Sequence, residues 1–447
     1  MSTQKKKKPI ESLSHRVVVG AGTTLLVEES HAVPIVSIVV ALSAGSAHDP
    51  LGKEGVLRFA LRMLRRGCKG MTAAHIEDTL DRLGGEISID ASTSSAVVYG
   101  QVIGRNLEPF VDLMARLIES PEFPEDEFGR LQRETVAELL EVRDSDRALA
   151  QRAFRRTLFA GHLYGRATGG TTASVLGLTS SDARASYAQH FVRGNALVGF
   201  AGDVSREKAE SFTARILKNL PEGAKAKDPV SEPTALVGRH LVFVDKPERT
   251  QTQVLIGSLG TSPHDEDHIS LSVANAVFGG TFTSRLTREI RSKRGWSYGV
   301  SSRLSVDRHR HAFNMWTHPA ATDAAACIGV ELDLLEKFIA SGVTPKEASF
   351  IKRYLTRSYA FEIDTATKRM HQLLDIDLLS LPADYYSAYT KHVDAVTPES
   401  TSASIRHRLN KDDLVIVVVG TASEIFESVK KAIPNLAAAT VVPFDQE

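Results

Sequence analysis

A chain of 447 residues exceeds what one hydrophobic core organises, so two or more domains are expected. Its 54 basic and 54 acidic side chains cancel, which removes the electrostatic case for nucleic acid or a membrane surface as partner. Two cysteines, Cys68 and Cys327, lie in different halves of the chain and exclude a disulfide framework or a CxxC-type metal site.

In chain order, residues 1–14 carry Lys5 to Lys8 followed by Pro9, Ile10 and Glu11. No apolar stretch of roughly 7–15 residues follows these charges, as a secretory signal requires, so a solvated tail and a cytoplasmic location are expected. No run approaches the roughly 20 apolar residues that span a bilayer. Residues 35–42 and 254–259 are β-branched apolar runs of strand length. Residues 85–92 alternate Ile87, Ile89 and Ala91 with Glu86, Ser88 and Asp90, a half-buried strand. Residues 107–118, 126–142 and 321–339 place apolar side chains three and four apart, predicting amphipathic helices. Acidic residues beside His48 and His264 fall where long helices begin, so helix capping is expected there rather than metal ligation. The alternating charges of residues 307–311 predict a solvated hairpin turn.

The two halves repeat. His48 and His264 stand 216 residues apart (48 to 264), Leu26 and Phe243 are 217 apart (26 to 243), Pro124 and Pro345 are 221 apart (124 to 345), and Gly202 and Gly420 are 218 apart (202 to 420). Four matches in one order at nearly constant offset point to a duplicated domain. The expected organisation is a tail over 1–14, a first domain over 15–220, a proline-rich charged linker over 221–238 and a second domain over 239–447. Each domain reads as α+β, with a mixed or antiparallel sheet backed by helices.

The run from Gly55 to Gly67 resembles the signature helix of the M16 (insulinase-like) peptidases. In active members that helix carries His-x-x-Glu-His, two imidazoles four apart binding zinc and a glutamate acting as general base. Here Arg58 and Arg62 stand at the histidine positions and Leu61 at the glutamate position. The segments around His162, Tyr164 and Gly165, and from Phe278 through Arg285 to Tyr298, resemble further family motifs, so the likeness runs from about 20 to 432. It implies two tandem α/β-roll domains of the LuxS/MPP-like metallohydrolase type. Guanidinium groups have no lone pair for a metal and leucine takes no proton, so this chain is expected to hold no cofactor and to be inactive alone.

The resemblance places the family's third zinc ligand at Glu138, 76 residues past Arg62 (62 to 138), where an arginine–carboxylate pair is expected to replace the metal. It also places the family's substrate-carbonyl and oxyanion pair at Arg291 and Tyr298, seven apart. Asp90 stands in a strand resembling the family's peptide-pairing edge, but with Asp for Asn an ordinary sheet edge is expected. Loss of one site beside retention of the other implies a non-catalytic subunit. It would supply Arg291 and Tyr298 in trans to an HxxEH-bearing M16 partner, which carries the zinc and shares a peptide substrate. The alternative is a structural or peptide-binding scaffold with no peptidase role. No nucleophile motif such as Gly-x-Ser-x-Gly supports an independent enzyme.

Overall fold

The computed structural model describes residues 13–20 and 22–446. In the first half, β1 (Leu13–Val19), β2 (Thr23–Glu29), β3 (Ile35–Leu42), β6 (Glu86–Ala91), β7 (Ala96–Ile103) and β8 (Ala196–Gly202) form one sheet, while β4 (Gly67–Cys68) and β5 (Met71–Thr72) make a small separate ladder. In the second half, β9 (Arg239–Asp245), β10 (Gln253–Leu259), β11 (Val300–Leu304), β12 (Ala312–Thr317), β13 (Val415–Gly420) and β14 (Leu436–Pro443) form the other. The first sheet runs β1-β2-β8-β3-β7-β6 and the second, read from the corresponding edge, runs β14-β9-β13-β10-β12-β11. Five positions therefore repeat strand for strand, with β2 and β8 parallel as β9 and β13 are. The sixth differs in origin: β1 enters antiparallel from the start of the chain, β14 parallel from its end.

β3 and β10 are central, buried on both faces, and that is why their sequences are continuous β-branched runs rather than alternating ones. β6 is an edge, and its alternation of exposed Glu86 and Ser88 with buried Ile87 and Ala91 follows from that position. Cys68 and Cys327 are buried free thiols.

One face of each sheet is covered by helices of its own half. The other face is covered by a helix lent from the opposite half. Helix Asp146–Leu158 packs Leu149, Ala150, Phe154 and Leu158 against Val244, Leu255, Val415 and Val417 of the second sheet. Helix Ala366–Leu378 packs Ala366, Met370, Leu374 and Leu378 against Leu26, Val39, Ala41, Leu197 and Ala201 of the first. Each fully buried large apolar side chain contributes about 1.5–3 kcal/mol, so this exchange ties the halves together strongly. An ion pair anchors each lent helix at corresponding strands with charges reversed. Arg369 Nε lies 2.9 Å from buried Glu28 on β2, and Asp146 Oδ1 lies 2.6 Å from Lys246 just past β9.

Three sequence expectations need correction or extension. Residues 1–12 of the expected tail lie outside the described residues, but Leu13 and Ser14 belong to β1 rather than to a tail. The turn at 307–311 is not solvated: Arg308 is 7% exposed and donates to the carbonyls of Leu378 and Ser94. Tyr164 Oη accepts from the His309 amide, pinning the same turn to the first half. The 221–238 segment contains no helix or strand, yet the Lys227 and Ser231 carbonyls bond His48 and His162 and Val230 is buried, so it is strapped to the body. Among the described residues no helix is long and apolar enough to cross a membrane.

Candidate functional site

Helix Val56–Met63 begins where Gly55 adopts φ +91°, a conformation that favours glycine. A Cβ there would also meet the Gly169 carbonyl at 2.6 Å. The Asp49 carboxylate accepts from the Gly55 amide at 2.7 Å and the Leu57 amide at 3.1 Å, supplying partners to amides that have none inside the helix. Burial pushes the Asp49 carboxyl up to about 7, against the pull of those two amides. Asp265 accepts from the Ser262 amide and pairs with Arg408, a structural role as well. Among the described residues no three His, Cys, Asp or Glu side chains come together in a way that could hold a metal ion.

The helix turns Leu57 and Leu61 into the first-half core, where both are fully buried. Arg58 and Arg62, four apart, share the face toward helix Glu125–Glu141. Arg62 grips Glu138 with two hydrogen bonds, Nη1 to Oε2 at 2.8 Å and Nη2 to Oε1 at 2.6 Å, and Nη1 also donates to Thr135 at 3.0 Å. Arg58 Nη1 lies 3.9 Å from the same carboxylate. The expected arginine–carboxylate pair is therefore present, and Arg62 is the closer partner. These residues do not fit zinc: two ligand positions are cations, the third carboxylate is already bonded, and the general-base position is an aliphatic group in the core.

Arg291 lies on the π-helical turn Thr287–Lys293, and Tyr298 follows the break made by Gly295 at φ +69°. Ser297 donates to the Gly299 carbonyl, and the Gly299 amide donates to His318 Nε2 at 2.9 Å, so the backbone on both sides of Tyr298 is held. The Arg291 guanidinium carbon sits 4.2 Å from the Tyr298 ring centroid and 4.7 Å from that of Phe282. Both rings are open to solvent, Tyr298 at 77% and Phe282 at 71% exposure. Contact with two ring faces holds the charge without neutralising it, and the Arg291 N–H groups make no hydrogen bond among the described residues. No carboxylate lies within ion-pair distance of Arg291 among the described residues, and the Tyr298 hydroxyl carries no hydrogen bond there. Phe282 is absent from the sequence reading. It follows Gly279, Gly280 and Thr281, and nothing in that order assigns it to an arginine.

The structure brings Arg58, Arg62 and Glu138 together at one place and Arg291 and Tyr298 at another. Among the described residues no hydrogen bond or ion pair joins the two groups.

The family model of Insulinase (Peptidase family M16) matches residues 24–172, and that of Peptidase M16 inactive domain matches residues 177–355. Together the two spans take in well over half of the chain. A Helicobacter pylori protein named non-peptidase homolog YmxG is 20% identical over 409 residues, 91% of this chain and 94% of that one. A Mycobacterium leprae protein named uncharacterized zinc protease is 25% identical over 403 residues, 89% of each. Among solved structures, the peptidase M16 inactive domain from Pseudomonas fluorescens matches with a TM-score of 0.84 at 26% identity, covering 91% of this chain and 98% of that one.

Proposed function

Because the chain belongs to the M16 peptidase family but has no zinc site of the family's kind, we propose that it is a non-catalytic subunit of a heterodimeric zinc peptidase. It presents Arg291 and Tyr298 to a peptide held by a partner that carries HxxEH and the metal. The relatives' names point both ways, non-peptidase homolog and zinc protease, so the residues must decide. At the ligand positions Arg58 and Arg62 close on Glu138, which leaves no hydrolytic centre of the family's type in this chain.

The observation that carries the reading is Arg291 placed over two exposed aromatic rings. A guanidinium over the rings of Phe282 and Tyr298, with donors unclaimed by any carboxylate among the described residues, is suited to a carbonyl or oxyanion arriving from outside. A purely structural protein gains nothing from holding a cation and a phenol in that state at its surface. The partner's metal supplies the polarising charge of the reaction; this chain binds and orients the peptide carbonyl and stabilises the charge that grows on its oxygen.

The test is steady-state kinetics of the reconstituted complex. Arg291→Ala and Tyr298→Phe should each lower turnover by about 10²–10³ while the complex stays assembled, the loss typical of one oxyanion donor. Unchanged turnover in both variants would leave the scaffold reading standing instead.

A further inference from the structure

A cavity of about 700 Å³ lies between the lent helix Asp146–Leu158, the 165–171 turn and the open face of the second sheet at β11 and β12. Arg147, Gln151 and Arg155 line it at four-residue spacing, so they project from one side of that helix. Arg303 on β11 enters from the sheet, on the same side of its strand as Ser301. Arg152, Arg156 and Arg166 also line it, and among the described residues the one carboxylate in the lining beside these six arginines is Glu54.

Two of the six are engaged: Arg166 donates to the Asp49 carbonyl, and Arg152 to the carbonyls of Phe444 and Gln446. Among the described residues, Arg147, Arg155, Arg156 and Arg303 form no ion pair. Arg147 stacks on Trp316, its guanidinium carbon 4.0 Å from the ring centroid, which positions the charge without neutralising it. Arg155 buries its Nε with no hydrogen-bond partner. Burial, then repulsion from Arg152 and Arg156, holds the Arg155 guanidinium below its ordinary value. Converging cations in a cleft with low-dielectric walls raise the free energy of the empty protein and focus a positive potential into the space between them. His311 adds no charge at neutral pH, because burial holds its imidazole low.

We propose that this interdomain cavity binds a small polyanion, a ligand with several phosphate or carboxylate groups that guanidinium forks hold by paired hydrogen bonds. The volume suits a compact molecule rather than a folded partner. The proposal stands apart from the subunit reading, since it involves neither Arg291 and Tyr298 nor a partner chain.

The experiment is isothermal titration calorimetry on the full chain in about 150 mM salt, where loose surface attraction is screened beyond roughly 8 Å. The probes are inorganic tripolyphosphate and citrate, compared with the double variant Arg147→Gln/Arg303→Gln and the single variant Arg155→Gln. Arg147 and Arg303 are exposed and form no ion pair, so the double variant should keep the wild-type circular dichroism spectrum. One saturable site is expected, weakened at least about tenfold in each variant. Tighter tripolyphosphate would place the natural ligand in the phosphate class, and tighter citrate in the carboxylate class. Absence of binding by both probes, or equal affinity in the double variant, would overturn the proposal.

Discussion

Arginine at a zinc-ligand position changes more than affinity. An imidazole offers a lone pair, whereas a guanidinium offers only donors and a permanent charge, so Arg58 and Arg62 require a carboxylate where a histidine pair would require a cation. Glu138 meets that need with a bidentate grip from Arg62 and help from Thr135. Leu61 completes the change by joining the core, so the family's general-base position holds no proton acceptor. The purified chain, dialysed against metal-free buffer, should therefore show far less than one zinc per molecule by elemental analysis, because binding would have to break the Arg62–Glu138 bonds against two like charges. About one zinc per chain would contradict this account of the site. The arginine–carboxylate pair was legible through the family resemblance, which places Glu138 at the third ligand position. Phe282 was not, because nothing in a sequence marks which exposed aromatic will cover a particular arginine.

At the scale of elements, Arg285 shows how a family motif can be structural. Its guanidinium donates to both Glu347 oxygens, at 2.8 and 2.7 Å, and so binds the segment before the π-helical turn to the first turn of helix Pro345–Ser358. Burial alone would raise the Glu347 carboxyl, but Arg285 and the Thr344 amide and hydroxyl hold it down to about 2. A carboxyl lowered on folding contributes stability above its unfolded value, near 4.5, and loses that contribution as pH falls toward 2. Glu347→Gln should thus cost on the order of 2–3 kcal/mol at pH 7, with the gap to wild type narrowing as pH drops below about 4.5. Urea melts at pH 7 and pH 3 measure this, and a gap independent of pH would refute it. The strands and long helices were readable because period and length agree with burial. The 307–311 turn was misread because its charge run resembled a solvated loop, whereas Arg308 is satisfied by carbonyls from sequence-distant segments.

For the molecule as a whole, the exchange of helices is the feature no periodicity could reveal. An apolar stripe on residues 146–158 says that the helix is covered, not which sheet covers it. With each half finishing the other's second face, the halves should unfold as one unit. A fragment of residues 1–220 would leave Leu26, Val39, Ala41, Leu197 and Ala201 without Met370, Leu374 and Leu378 over them. It should bind a hydrophobic dye and lack a cooperative melting transition, whereas a full chain cut within residues 221–238 should stay associated on gel filtration. A fragment that melts cooperatively without dye binding would show that the exchange is dispensable.

The whole-molecule claim of greatest consequence is that one chain carries no complete site while a pair does. It is tested most directly by kcat/KM on a peptide substrate for the HxxEH-bearing partner alone, for this chain alone, and for the two mixed at equal concentration. The account predicts no cleavage by this chain, weak or absent cleavage by the partner, and an increase of about 10²–10³ or more on mixing. A partner that cleaves as fast alone as in the mixture would contradict it.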